Sequence, residues 1–307
     1  MIRYYLLAAG MCMLLLQQFV NPFGPDLQLT LFISGVLILG VPHGAADLLV
    51  AMHNSESKGE SFSTGRFFAG YMGRLILFAA ILWQFPALGI LIFIIFSAYH
   101  FGETDLSLFD TTTWSGKYFV VAYGMVILGV MLLTHADEVR PFIALAGVSP
   151  YADSVMTWLE THRGLVIQLL LVQLLVSAGM FFFLQREERT KLDFRTLMFY
   201  VAILLILSKL PLIMGFTFYF VGWHSVLSIR KITSYLCHVN GVPIRQVIRQ
   251  IAFYSLLAVA GILIAGSAGY MFSDHTSLMW YSIMGLAVLT APHMEVMHEM
   301  YNRLRLR

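Results

Sequence analysis

The sequence predicts an all-α, polytopic membrane helix bundle of eight to ten transmembrane helices. Three observations predict it. Of the 307 residues, 59% are hydrophobic and only 12% charged, far from the balance of a soluble domain. The apolar residues gather in runs long enough to cross about 30 Å of hydrocarbon at 1.5 Å per residue. The basic residues gather at alternate ends of those runs.

In order, the runs lie at 2–20, 27–52, 66–85, 87–108, 118–134, 165–184, 196–210, 212–229, 251–269 and 278–300. The first carries an early Arg3 and lacks a small-residue cleavage site before Asn21-Pro-Phe-Gly-Pro25, so it is read as a retained helix rather than a signal peptide. The seventh is short and is parted from the eighth by Lys209-Leu-Pro211. If ten spans alternate, 15 of the 19 Lys and Arg residues fall on one side and 3 on the other, with Arg74 inside a span. That asymmetry is the one expected with both termini in the cytoplasm, and the chain is expected in the cell (inner) membrane. Residues 1–307 are read as a single transmembrane domain. Two longer connections stand apart. Residues 135–162 read as an irregular or interfacial segment, and 234–250 as a polar loop or a basic amphipathic helix on the inner leaflet.

A net charge of +2 gives no basic patch for nucleic acid, and Cys12 and Cys237 support neither a disulfide framework nor a CxxC metal site. Attention falls instead on histidines inside four apolar runs: His43, His100, His224 and His293. A buried imidazole without a partner costs roughly 2 kcal/mol or more, so each needs one. All four runs point the same way in the ten-span count, and the histidines lie 12 to 16 residues along them. This puts them roughly 18 to 24 Å below the outer boundary. Four side chains at one depth can meet at one metal, whereas any one alone reads equally well as an interhelical hydrogen bond.

Neutral imidazole suits iron, zinc, copper or nickel and adds no charge when it coordinates. Four histidines without cysteine disfavour a structural zinc or iron–sulfur site, and Fe(2+), with positions left open for dioxygen, is preferred. Asp47 follows His43 by four residues and Glu103 follows His100 by three, on the same helix face. Either carboxyl can take the second ring N–H of a ligand, directly or on a neighbouring helix. Glu103 and Asp105 read equally well as side chains snorkelling to the interface. Pro42 and Pro292, each just before a histidine, loosen their helices. Tyr99, Phe101, Trp223 and Met294, with Phe218, Tyr219 and Phe220, flank the histidines and suit a long apolar substrate, as they also suit a lipid-facing helix. His53, His135, His162, His238 and His275 fall in connections and are expected to be solvated; His298 is held as a reserve ligand.

Taken together, Pro42-His-Gly-Ala-Ala-Asp47, Tyr99-His-Phe-Gly-Glu103, Trp223-His-Ser225 and Ala291-Pro-His-Met294 resemble the Brp/Blh family of membrane β-carotene cleavage dioxygenases, over about residues 31–300. The resemblance implies an iron-dependent split of the central 15,15′ double bond of β-carotene with O2. The products implied are two molecules of all-trans-retinal, a chromophore passed to microbial rhodopsins. By motif, His43, His100 and His224 are the implied iron ligands. Some members carry a further histidine one turn after the Trp-His pair, where this chain has Ser228, and the fourth place falls to His293 on the depth argument. Cleavage of a different carotenoid is the nearest alternative. A transporter or proton relay is the competing class, since buried histidines and carboxylates mark those too, although no inverted repeat is evident. A lipid desaturase would need more closely spaced histidine boxes.

Overall fold

In a membrane, only a chain that satisfies its backbone polar groups internally can be exposed to lipid, and the described residues of the computed structural model form helices joined by short turns, with no strand among them. These are 1–21, 23–145, 151–240, 242–272 and 275–305, with some side chains near the ends of these stretches left out. The helices are α1 (Ile2–Phe19), α2 (Pro25–Gly35), α3 (Val41–Ala45), α4 (Asp47–Ser57), α5 (Thr64–Gln84), α6 (Pro86–Asp105) and α7 (Trp114–Leu133). After them come α8 (Ala136–Leu145), α9 (Tyr151–Leu184), α10 (Phe194–Lys209), α11 (Leu212–Phe216), α12 (Val226–Asn240), α13 (Ile244–Phe272) and α14 (His275–Arg305). Two π segments, Val36–Gly40 and Thr217–Ser225, join α2 to α3 and α11 to α12. Among the described residues, eight helical stretches are long and apolar enough to cross a membrane. At 16 residues, α10 is shorter than a full crossing needs.

Local sequence sets the helix starts. Pro25 opens α2, where its missing N–H is no loss. Ser63, Thr113 and Asp193 cap α5, α7 and α10 by accepting from the amides of Arg66, Gly116 and Thr196. The Thr196 hydroxyl and amide together hold the Asp193 carboxyl below its usual value.

The long connections differ from their sequence reading. Residues 136–145 form α8, and α9 is a 34-residue helix of which the apolar run at 165–184 is only the last part. Arg140 on α8 binds Glu160 and Asp153 on α9, giving the polar residues of this stretch helical partners. The basic pattern from Ile244 to Arg249 is the opening of α13, which continues without a break to Phe272. It is neither a loop nor a separate surface helix, because the apolar run that follows supplies the burial a short amphipathic helix would lack.

The chain forms two compact units. The first comprises Met1–Val36, Ala98–Ala144 and Ser149–Val226. Its centre is α7, packed against α9 and α10. Phe119 stacks on Phe181, with Phe109 set edge-on against the latter. The C-terminal half of α6 lies against α7 backbone to backbone. A Cβ at Gly124 would collide with the Ala98 carbonyl, and one at Gly102 with the Val120 carbonyl. His100 sits between these two close approaches. In the second unit, mainly Leu37–Ser97 and Leu227–Arg307, α14 packs on α5 and α4 while α13 packs on α3. Val50, Ile232, Met297 and Tyr301 are at the centre of that packing.

Adding a methyl group at the α6–α7 crossing overpacks it, at roughly 1–3 kcal/mol. Gly124→Ala is therefore expected to lower the thermal midpoint in detergent. Gly164→Ala, whose new Cβ meets nothing within 4 Å, is expected to hold or raise it.

Candidate metal centre

Each unit brings one pair of the predicted histidines together. In the first, His100 comes from α6 and His224 from the second π segment. Their Nε2 atoms lie 3.1 Å apart and both rings are buried. Two cis ligands with bonds of about 2.1 Å at right angles have nitrogens about 3.0 Å apart, so the pair fits two ligands of one metal ion. Phe101 meets the His224 ring edge-on at 4.9 Å and Phe220 stacks over it at 6.1 Å, which walls the pair in hydrocarbon. The π turn that presents His224 draws in a side chain: the Ser225 hydroxyl donates to the Phe220 carbonyl at 2.8 Å.

Beside this pair, the carboxyl of Asp105 accepts three hydrogen bonds, from Tyr123 (2.9 Å), Tyr219 (3.0 Å) and the Trp223 indole N–H (2.8 Å). Asp105 is buried, not snorkelling. It joins the end of α6, α7 and both ends of the π segment that carries His224. Trp223, predicted to flank a substrate, is fully buried with its ring N–H committed to Asp105. Glu103 is likewise buried, and the Tyr99 hydroxyl donates to it at 3.4 Å. Sequence reasoning read Tyr219 only as a flanking aromatic, left Asp105 open to an interfacial place and did not single out Tyr123. The available signal was the presence of aromatic side chains with polar tips at intervals inside apolar runs.

In the second unit, His43 lies on the five-residue α3, between the first π segment and a break at Ala46. Its ring lies near the carbonyls of Leu39 and Gly40; Pro42 has no N–H, and the π register leaves carbonyls there that regular helix bonding does not use. The His293 ring from α14 meets it edge-on, with centroids 4.8 Å apart. Asp47 opens α4 and turns to the neighbouring helix: its Oδ1 takes the Nδ1–H of His293 at 2.7 Å, and Oδ2 accepts from Tyr71 at 3.0 Å. With Nδ1–H committed to a carboxyl, the lone pair of a neutral His293 lies on Nε2, ready for a metal. Met294, next in sequence, is partly buried.

The remaining histidines divide. His53 was expected in solvent but is buried on α4, edge-on to Tyr235. It lies one helical turn beyond Leu49 on a face that continues into the protein. His135 is half-buried against Thr134 and the Met131 carbonyl, and His162 is half-buried on α9 with its ring stacked on Trp158. His298 contacts Asn302 one turn further along α14. His238 and His275 lie outside the residues whose side chains are described. Ser228, in the place of the further histidine, is fully buried.

The family model described as Beta-carotene 15,15'-dioxygenase matches residues 34–301. The chain belongs to this family. No curated protein and no solved structure matches it. The matched range includes both histidine pairs and both buried aspartates, and family membership supports a carotenoid dioxygenase activity.

Two substitutions separate the roles of the aspartates. Asp105→Ala strands two tyrosine hydroxyls and an indole N–H, and is expected to destabilise the fold by roughly 3 kcal/mol or more, read by thermal unfolding. Asp47→Ala is expected to weaken metal binding about 10–100-fold, read by metal retention on dialysis, with the helical circular dichroism unchanged.

Proposed function

We propose that this chain cleaves β-carotene at its central 15,15′ double bond, with O2 as co-substrate and Fe(2+) as cofactor, to give all-trans-retinal. The observation that carries the reading is the buried His100–His224 pair, with nitrogens at the spacing of two cis metal ligands, inside a chain of the β-carotene dioxygenase family. His43 and His293, the latter oriented by Asp47, complete the proposed ligand set of one iron. When bound, iron supplies the means to activate dioxygen beside the alkene.

The protein's own residues supply the rest. Neutral imidazoles hold a cation without bringing anions into the membrane. Asp105 and Asp47 fix the elements that carry the ligands, so the ligands are preorganised. Phe101 and Phe220 keep water from the His224 ring, and Tyr99 and Met294, only partly buried, are placed to flank a polyene. Glu103 supports the site by holding Tyr99. A carotene carries no group that needs acid or base catalysis, so the side chains here have only to bind, orient and exclude water. Both substrate and product are apolar, which fits a multi-pass protein of the cell membrane with cytoplasmic termini. The retinal would leave through the lipid bilayer for a retinal-binding membrane protein such as a microbial rhodopsin.

The test is expression in cells that make β-carotene, with retinal measured by chromatography and iron by mass spectrometry on the purified protein. Retinal and one iron per chain are expected for the wild type, with both lost in His100→Ala and in His293→Ala. Iron without retinal would keep the metal centre and remove the substrate. Iron retained in His293→Ala would take that residue out of the ligand set, and a wild type without metal would return the chain to the transporter class.

A further inference from the structure

Helix α1 precedes the range matched by the family and carries none of the four histidines, yet it is tied to the segment that presents His224. Arg3, Gly10 and Leu14 are spaced seven and four residues apart, and so share one side of the helix. Gly10 and Leu14 are buried. Arg3 donates from Nη2 to the main-chain carbonyl of Asp105 at 3.2 Å. Asp105 is the last residue of α6, where helix carbonyls lack an intrahelical partner and a cation is favoured. At Gly10 the backbone comes so close to the second π segment that an added Cβ would run into the Phe218 ring and the tip of Ile206. The Tyr4 ring meets Phe199 edge-on at 4.9 Å, which holds α1 to α10 as well.

These contacts close a circuit. Arg3 holds the carbonyl of Asp105, and the carboxyl of Asp105 holds Tyr219 and Trp223. Phe218, the residue before Tyr219, returns to α1 at Gly10. His224 follows Trp223 directly, so whatever rotates the π segment rotates its ring. A π turn replaces the regular bonds to the fourth residue back with bonds to the fifth, and such a segment leans on its neighbours for its orientation. With Asp105 alone the segment could pivot about one carboxyl; α1 gives it a second point of support and fixes the residue that bears the carboxyl.

We propose that α1 is a positioning helix for the metal centre, and that Arg3 and Gly10 are the positioning residues that hold His224 at its 3.1 Å spacing from His100. Both act through other residues, Arg3 through Asp105 and Gly10 through Phe218. This role rests on the reading of the two histidines as ligands of one ion.

The test uses the full chain in mild detergent, freed of metal with a chelator and titrated with Co(II), whose visible absorption reports the geometry of its ligands. The wild type is expected to bind one cobalt per chain. Arg3→Ala and Gly10→Ala are each expected to weaken binding about tenfold or more and to shift the absorption bands, with the helical circular dichroism unchanged. Arg3→Lys, which keeps a cation near the carbonyl, is expected to recover most of the affinity. Adding Phe218→Leu to the Gly10→Ala chain removes the ring that the new Cβ meets, and is expected to restore the wild-type bands. Leu15→Ala, on the exposed side of α1, is expected to match the wild type. Variants that lower the thermal midpoint yet keep the wild-type affinity and bands would leave α1 a structural helix only and overturn the proposal, as would a Gly10→Ala chain that Phe218→Leu does not restore. If Arg3→Ala fails to insert, the Gly10 and Phe218 pair decides it. A wild type that binds no cobalt would overturn the metal reading and this role together, whereas unaltered variants of a cobalt-binding wild type overturn this role alone.

Discussion

A carboxyl group buried among membrane helices must collect donors, because neither lipid nor aliphatic side chains can replace the water it has lost. Much of this structure follows from how two aspartates meet that demand. Asp105 takes two tyrosine hydroxyls and an indole N–H, all three from elements beyond its own helix. Asp47 takes an imidazole N–H and a tyrosine hydroxyl, again from other helices. Each hydrogen bond fixes the rotation of a helix as well as satisfying a group. The helices fixed this way include those that carry His224 and His293.

The π segments serve the same end by a different route. A π turn widens the helix and shifts the residues that follow onto a new face. One such segment ends two residues before Pro42 and three before His43, and the other contains Trp223 and His224. In the second, a carbonyl freed from regular helix bonding takes a side chain, Ser225 bonding the Phe220 carbonyl, and after the first the His43 ring lies near the carbonyls of Leu39 and Gly40. The second segment is largely buried, which is where a membrane protein tolerates irregular backbone, whereas in the first only Gly40 is buried.

These features suit oxidative chemistry on a polyene. A carotene gives a protein no polar handle, so recognition rests on shape and on aromatic and thioether surface. The reactive centre must then be held by groups whose positions do not depend on substrate. In the first unit the phenylalanine rings around His224 meet that condition, and in the second the carboxyl of Asp47 holds His293.

The sequence by itself determined the class of the protein and the identity of its notable histidines. Runs of apolar residues at membrane length leave no other architecture, and a histidine in such a run is conspicuous because it is expensive there. Family motifs around His43, His100 and His224 were legible for the same reason. Which residues pair was decided only by the tertiary structure. The spacing of His43 and Asp47 is that of partners on one helix face, yet Asp47 bonds His293, because the break at Ala46 and the packing of α14 on α4 bring that ring closer to its oxygens. Asp105 read equally well as an interfacial charge, and only the packing that brings Tyr123, Tyr219 and Trp223 to it from other parts of the chain settles that it is buried. The π register was invisible, since in a segment apolar on every side a widened turn leaves no mark on the hydrophobic pattern. Composition and local spacing are properties of one helix at a time, whereas a hydrogen bond between helices depends on how each is rotated, and only packing sets that.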